Sequence, residues 1–162
     1  MINKLFLICP FSCLENNLQA KYGNEIYFLT SLGAIFQFDE IEYVSELKSF
    51  IIREQIKEIY IVNETSCKFI NGVINKNKQY GLKSEKLIEK LYLENYFLDF
   101  KNQPKLVQQN KLAELNILNQ ANSLMNSSLL KSFIVEFDIV INGLITNKEI
   151  ELFQEIKISN NR

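Results

Sequence analysis

The chain has 162 residues, 47% of them hydrophobic, no histidine and a formal net charge of −1; this is enough apolar material for one ordinary domain, spanning 1–162. Near-neutral, scattered charge excludes a nucleic-acid partner, which needs a concentrated basic surface. The missing histidine removes the commonest general base and the commonest metal ligand together.

The first residues, Met1 to Cys9, carry one lysine and an apolar run of about five residues, shorter than the 7–15 of a signal peptide, so residues 5–8 read as a first strand. No later stretch approaches the ~20 apolar residues of a membrane helix, and no membrane contact is expected. Ile26–Thr30 is a second strand after an Asn-rich segment containing Gly23. Ile41, Val44, Leu47, Ile51 and Ile52 recur at helical spacing, predicting an amphipathic helix over 41–55. Residues 59–62 form the third strand, "IYIV", after which Asn63-Glu64-Thr65-Ser66 supplies turn and N-cap chemistry and a short helix starts near Cys67.

Ser84 is positioned to cap a helix with the stripe Leu87, Ile88, Leu91 and Tyr92. Pro104 lies in the next connection, and Leu112, Leu115, Leu118, Ala121 and Met125 mark another helix. Residues 133–141 are rich in β-formers, and Asn147-Lys148 turns the chain into a last strand at 150–153. Strands separated by helices predict an α/β fold: a mostly parallel central sheet flanked by helices, closing with an antiparallel hairpin.

Two of these strands deliver cysteines at their ends, Cys9 in "KLFLICPFSC" and Cys67 in "NETSCK". In an α/β sheet that is where ligands usually bind. Three cysteines are too few and too odd in number for a disulfide framework, so a reduced, cytoplasmic protein is expected. No dinucleotide or phosphate-loop glycine motif and no G-x-S-x-G elbow occurs. The C-x₃-C spacing of Cys9 and Cys13 is not that of a redox C-x-x-C. What remains is the constellation Cys9, Cys13, Glu64 and Cys67. Taken by itself it reads as packed cysteines, since free cysteine is among the most buried residue types.

The order of these motifs resembles the β-class carbonic anhydrases. That family's first strand ends in Cys-x-Asp-x-Arg, its second runs into Asn-Ala-Gly-Asn and its third ends in Gly-His-x-x-Cys-Gly. Here the corresponding stretches are "CPFSC" (9–13), "SLGA" (31–34) and "NETSCK" (63–68). "AELNILNQANSLMNSS" (113–128) resembles a late helix with Asn116 and Leu124 in place, and "INGLITNKEIEL" (141–152) resembles the closing hairpin with Gly143 kept. The likeness runs nearly the whole chain, without the N-terminal helical arm common in the family.

The resemblance implies Cys9 and Cys67 as zinc ligands, with Glu64 standing where the histidine ligand belongs. Phe11 and Cys13 stand where an aspartate–arginine pair controls the metal-bound water, and Lys68 follows Cys67 where the family has glycine. Two thiolates and a carboxylate would make the metal formally anionic and polarise water weakly, while Cys13 as a third thiolate would close a structural site. Phe11 is expected to fill the cavity the family keeps polar, and Glu64 to serve as a turn or helix-start residue if it is not a ligand. The expectation is therefore a protein that does not hydrate CO2, retained as a binding or assembly module, with no cofactor, zinc being the possible one. The alternative is a divergent zinc carbonic anhydrase or a thiol-dependent enzyme using Cys9 or Cys67 in the same strand-end pocket. Family members build dimers whose interface continues the sheet, so a homodimer is expected; the strand "FIVEF" (133–137) and the helix "LYLENYFLDF" (91–100) either cover or extend such an interface or pack in the core. Neither the protein partner nor any small ligand is legible.

Overall fold

The computed structural model describes residues 2–77 and 80–158. Five strands form one sheet in the order β2-β1-β3-β4-β5. They are β1 (Asn3–Ile8), β2 (Ile26–Thr30), β3 (Ile56–Glu64), β4 (Val140–Asn147) and β5 (Leu152–Lys157). The first four run parallel and β5 returns antiparallel to β4. The expected fold class is the observed one: helical crossovers make neighbours parallel, and only the last connection is short enough for a hairpin.

Side-chain alternation divides the core. Leu5, Leu7, Ile59, Ile61, Ile141 and Ile145 face the larger cluster, beneath α2 (Ile41–Arg53), α3 (Lys68–Ile74), α4 (Lys83–Glu94), α5 (Lys105–Asn126) and α6 (Lys131–Glu136). Phe6, Ile8, Tyr60, Val62 and Leu144 face the smaller cluster, which α1 (Glu15–Tyr22) covers with Leu18 and Tyr22. Helices therefore lie on both faces, unevenly. Central strands buried on both sides read as nearly continuous apolar runs, as in "LFLI" and "IYIV".

α5 approaches the sheet closely. A Cβ on Gly143 would sit 2.6 Å from Ile117 Cγ2 and 3.2 Å from Ile156 Cβ. Only a glycine lets the helix pack down on β4 there.

Several sequence expectations need correction. Residues 133–137 are not a strand: Lys131–Glu136 is α6, which buries Phe133 and Ile134 and leaves Val135 exposed. The Phe133 and Phe137 rings pack tilted with centroids 4.5 Å apart, an i,i+4 contact, and Asp138 at φ 51° ends the turn before β4. A short apolar run does not announce its period, and β-branched content misled here. The last strand is Leu152–Lys157 rather than 150–153.

Ser84 is the second residue of α4 rather than its cap, which is Leu82. Glu85 reaches back to accept the Leu82 amide at 3.0 Å and the Tyr80 amide at 3.2 Å. On α5 the buried face runs through Leu112, Ala113, Asn116, Ile117, Gln120, Ala121 and Leu124, and Leu118 is exposed. Among the described residues, no helix is long and apolar enough to cross a membrane.

Candidate functional site

Cys9 is the first residue past β1 and Cys67 is the N-cap of α3, so both stand at the carboxyl edge of the parallel sheet. Cys9 continues the register of Leu5 and Leu7, on the face under α5, and Cys67 joins the same cluster. Both are 4% exposed. Their sulfurs lie 3.8 Å apart, with the Cys67 thiol donating to Cys9 Sγ. The segments following them are pinned together by Phe11 and Phe69, whose ring centroids are 5.8 Å apart.

A second donor reaches Cys9. The tight turn Leu32–Ala34 aims the Gly33 amide at Cys9 Sγ, 3.3 Å away. Gly33 has φ +69°, and a Cβ there would meet Ile88 Cδ1 at 3.0 Å, so both backbone and space demand glycine. Asn116, fully buried on α5, fixes the turn by donating Nδ2 to the Gly33 carbonyl at 3.0 Å and to Asn63 Oδ1 at 2.8 Å.

These donors decide the charge on the pair. The Cys67 hydrogen bond outweighs burial and, with the amides of Phe11, Gly33 and Ala34, lowers the Cys9 thiol to about 6. Cys67, whose proton is held in that bond and which is deeply buried beside the Cys9 sulfur, is pushed far above the usual thiol range. The pair therefore favours a thiolate on Cys9 and keeps the proton on Cys67.

Glu64 lies elsewhere. It continues the register of Tyr60 and Val62, on the face under α1, opposite to the cysteines. Its buried carboxylate accepts from Thr146 Oγ1 at 2.6 Å, Ser66 Oγ at 2.8 Å and the Lys148 amide at 3.1 Å. Thr146 pairs with Glu64 across β3–β4, and the Lys148 ammonium donates to the Ser12 carbonyl at 3.0 Å. The carboxylate thus ties the end of β3 to the β4–β5 turn.

Cys13 is exposed, in a left-handed conformation at φ 50°, with its sulfur 3.8 Å from the Pro10 carbonyl. Phe11 does not fill a buried cavity: it is 39% exposed and stacks on Phe69 and Tyr80, with the Lys68 ammonium 5.1 Å from its ring. Of the four candidate ligands, the structure brings Cys9 and Cys67 together and leaves Glu64 and Cys13 apart from them.

Zinc can be tested against this donor set. Two thiolates on tetrahedral zinc, with Zn–S near 2.3 Å, lie about 3.8 Å apart, as these sulfurs do. A zinc site also needs a third and fourth donor, and among the described residues no three histidine, cysteine, aspartate or glutamate side chains are grouped to hold a metal ion. The pair keeps the spacing and lacks the set, so the residues present do not fit a resident zinc. Sequence reading missed Asn63, Thr146 and Lys148 as partners; the i+2 register of Glu64 behind Val62 was the available signal for its face.

No protein-family model and no curated protein sequence matches the chain. Solved structures do. The β-carbonic anhydrase CafD of the filamentous fungus Aspergillus fumigatus matches with a TM-score of 0.77 at 20% identity, over 96% of this chain and 90% of that one. A structure from a study of two tetrameric β-carbonic anhydrases of the ascomycete Sordaria macrospora matches with a TM-score of 0.80 at 14% identity, over 97% and 81%. The Coccomyxa β-carbonic anhydrase in complex with acetazolamide matches with a TM-score of 0.75 at 14% identity, over 96% and 72%. The chain has the fold of the β-carbonic anhydrases, and it is β-carbonic-anhydrase-like in the arrangement of its whole sheet.

Proposed function

We propose that this protein uses the β-carbonic-anhydrase fold without hydrating CO2 and serves as a binding or assembly module. The observation that carries the reading is the placement of Glu64. Its carboxylate stands at the histidine position of the family pattern, yet it lies under α1 and is saturated by Thr146, Ser66 and Lys148. A catalytic zinc needs three protein ligands and one open position to bring its water to a pKa near 7. Two sulfurs alone supply neither the ligand count nor a fixed geometry. Phe11, standing in place of the family's aspartate, also has no group with which to accept a hydrogen bond from such a water.

Assembly is proposed on two grounds. The Sordaria macrospora structure comes from a study of tetrameric enzymes, and this chain exposes large apolar side chains at the end of α4 and just beyond it. Leu93, Phe97 and Leu98 are 62%, 77% and 87% exposed. We propose a homodimer in the cytoplasm, with the segment 91–100 at the contact. Residues 133–136 are helical and 137 caps that helix, so this segment does not extend the sheet.

Elemental analysis of the protein purified with added zinc tests the reading. Much less than one equivalent per chain should survive gel filtration, and a full retained equivalent would overturn it.

A further inference from the structure

The dithiol at the sheet edge has a chemistry of its own that does not call for a metal. We propose that Cys9 and Cys67 form a dithiol–disulfide site whose oxidant is of the hydroperoxide class. It rests on the zinc-free reading above, since a metal bridging both sulfurs would hold them from the reaction.

Four observations support it. The two sulfurs face each other at 3.8 Å with a hydrogen bond already directed from Cys67 to Cys9, and among the described residues no third metal-ligating side chain is grouped with them. Neither cysteine sits within a strand: Cys9 follows β1 and Cys67 precedes α3, where the backbone can yield the further approach that a sulfur–sulfur bond of about 2.05 Å requires. A cavity of about 420 Å³ opens beside Cys67, lined by its two neighbours Ser66 and Lys68. The Gly33 amide at 3.3 Å, itself fixed by Asn116, steadies negative charge on Cys9 Sγ as it attacks.

The chemistry balances with hydrogen peroxide as the oxidant. The Cys9 thiolate attacks one peroxide oxygen; an S–O bond forms, the O–O bond breaks, and the departing hydroxide takes a solvent proton to become water. Cys67 sulfur then attacks the Cys9 sulfenic sulfur, forming the S–S bond and breaking the S–O bond. The hydroxyl leaves with the Cys67 proton as a second water. Two thiols lose two electrons and one peroxide gains them. Exposed Cys13 has no partner sulfur in contact and takes no part.

The full chain, purified reduced and assayed for zinc on the same sample, is exposed to hydrogen peroxide and mapped by mass spectrometry. The expected result is a zinc-free protein that loses two hydrogens per chain, with Cys9 and Cys67 peptides cross-linked and reopened by a dithiol reductant. Cys13→Ser should cross-link equally well, and Cys67→Ala should stop at a Cys9 sulfenic acid trapped by a dimedone probe. A zinc-free protein whose Cys9 and Cys67 stay free, or whose Cys9 runs on to sulfinic acid without cross-linking, overturns this proposal alone. A protein that retains zinc and stays reduced overturns it together with the proposed function.

Discussion

Asn116 and Gly33 act as one unit: the Asn116 amide nitrogen holds the Gly33 carbonyl at 3.0 Å, and the Gly33 amide on the other side of that residue points at Cys9 Sγ, 3.3 Å away. A buried helix side chain thereby sets where a backbone donor meets a sulfur. Asn116→Leu keeps the volume and orphans two buried acceptors, the Gly33 carbonyl and Asn63 Oδ1. Each orphaned acceptor costs about 1–3 kcal/mol. Urea unfolding should show a loss of about 2–5 kcal/mol; a loss under about 0.5 kcal/mol, ordinary for a surface change, would show that the unit carries no weight.

Gly143→Ala should destabilise the protein by about 1–3 kcal/mol, the usual cost of overpacking. The new methyl would lie 2.6 Å from Ile117 Cγ2, the very group that Ile117→Ala removes. In the double variant, part of the loss should return, read as a coupling energy in a double-mutant cycle. Strict additivity would place the strain elsewhere.

Glu64→Gln keeps the shape and loses the charge that three donors serve. Charge-assisted hydrogen bonds are about twice as strong as neutral ones, and the variant should unfold about 1–3 kcal/mol more easily. Glu64→His should lose stability as well and gain no zinc, because the side chain starts on the face opposite Cys9 and Cys67. Stoichiometric zinc in the histidine variant would show that the loop can rotate to rebuild the ligand set.

The cysteine pair should shape the pH dependence of stability. Cys9 releases its proton near 6 in the folded protein, against an ordinary value of 9.0. The unfolded chain holds that proton more tightly, so this contribution is full above about 9 and is lost as pH falls through about 6. Cys67 acts with the opposite sign: its raised thiol stabilises below the ordinary thiol range and stops doing so as pH rises beyond it. Thiolate absorbance in a Cys13→Ser background should show a first ionisation near 6, and Cys67→Ala should move it upward by removing the main donor. An unchanged midpoint would mean that the Gly33, Phe11 and Ala34 amides suffice alone.

The sheet was legible because buried parallel strands concentrate apolar residues, as in "LFLI" and "IYIV", and Ile26–Thr30 agrees to the residue. Gly33, Asn116, Leu124 and Gly143 also proved structural, each at a close approach or in the core. Residues 133–137 misled because Phe, Ile and Val suit a strand locally, while helix packing of Phe133 on Phe137 wins in the fold. At the site, the meeting of Cys9 and Cys67 followed from strand order. The face of Glu64 did not follow from motif spacing, which counts residues along the chain and ignores the period of two across a sheet.

Stopped-flow CO2 hydration by the purified protein, supplied with zinc, is the most direct measurement of whether the fold retains hydratase activity. Missing one oriented polar group at a reacting centre commonly costs ~10²-fold or more in rate, and here the third ligand and the water's acceptor are both displaced. The rate should equal that of buffer, and Glu64→His alone should leave it there, since the new ring starts on the face opposite the two sulfurs. Turnover by the unmodified protein at ~10³ s⁻¹, the upper end of ordinary enzyme rates, would contradict the account and make Glu64 a working ligand.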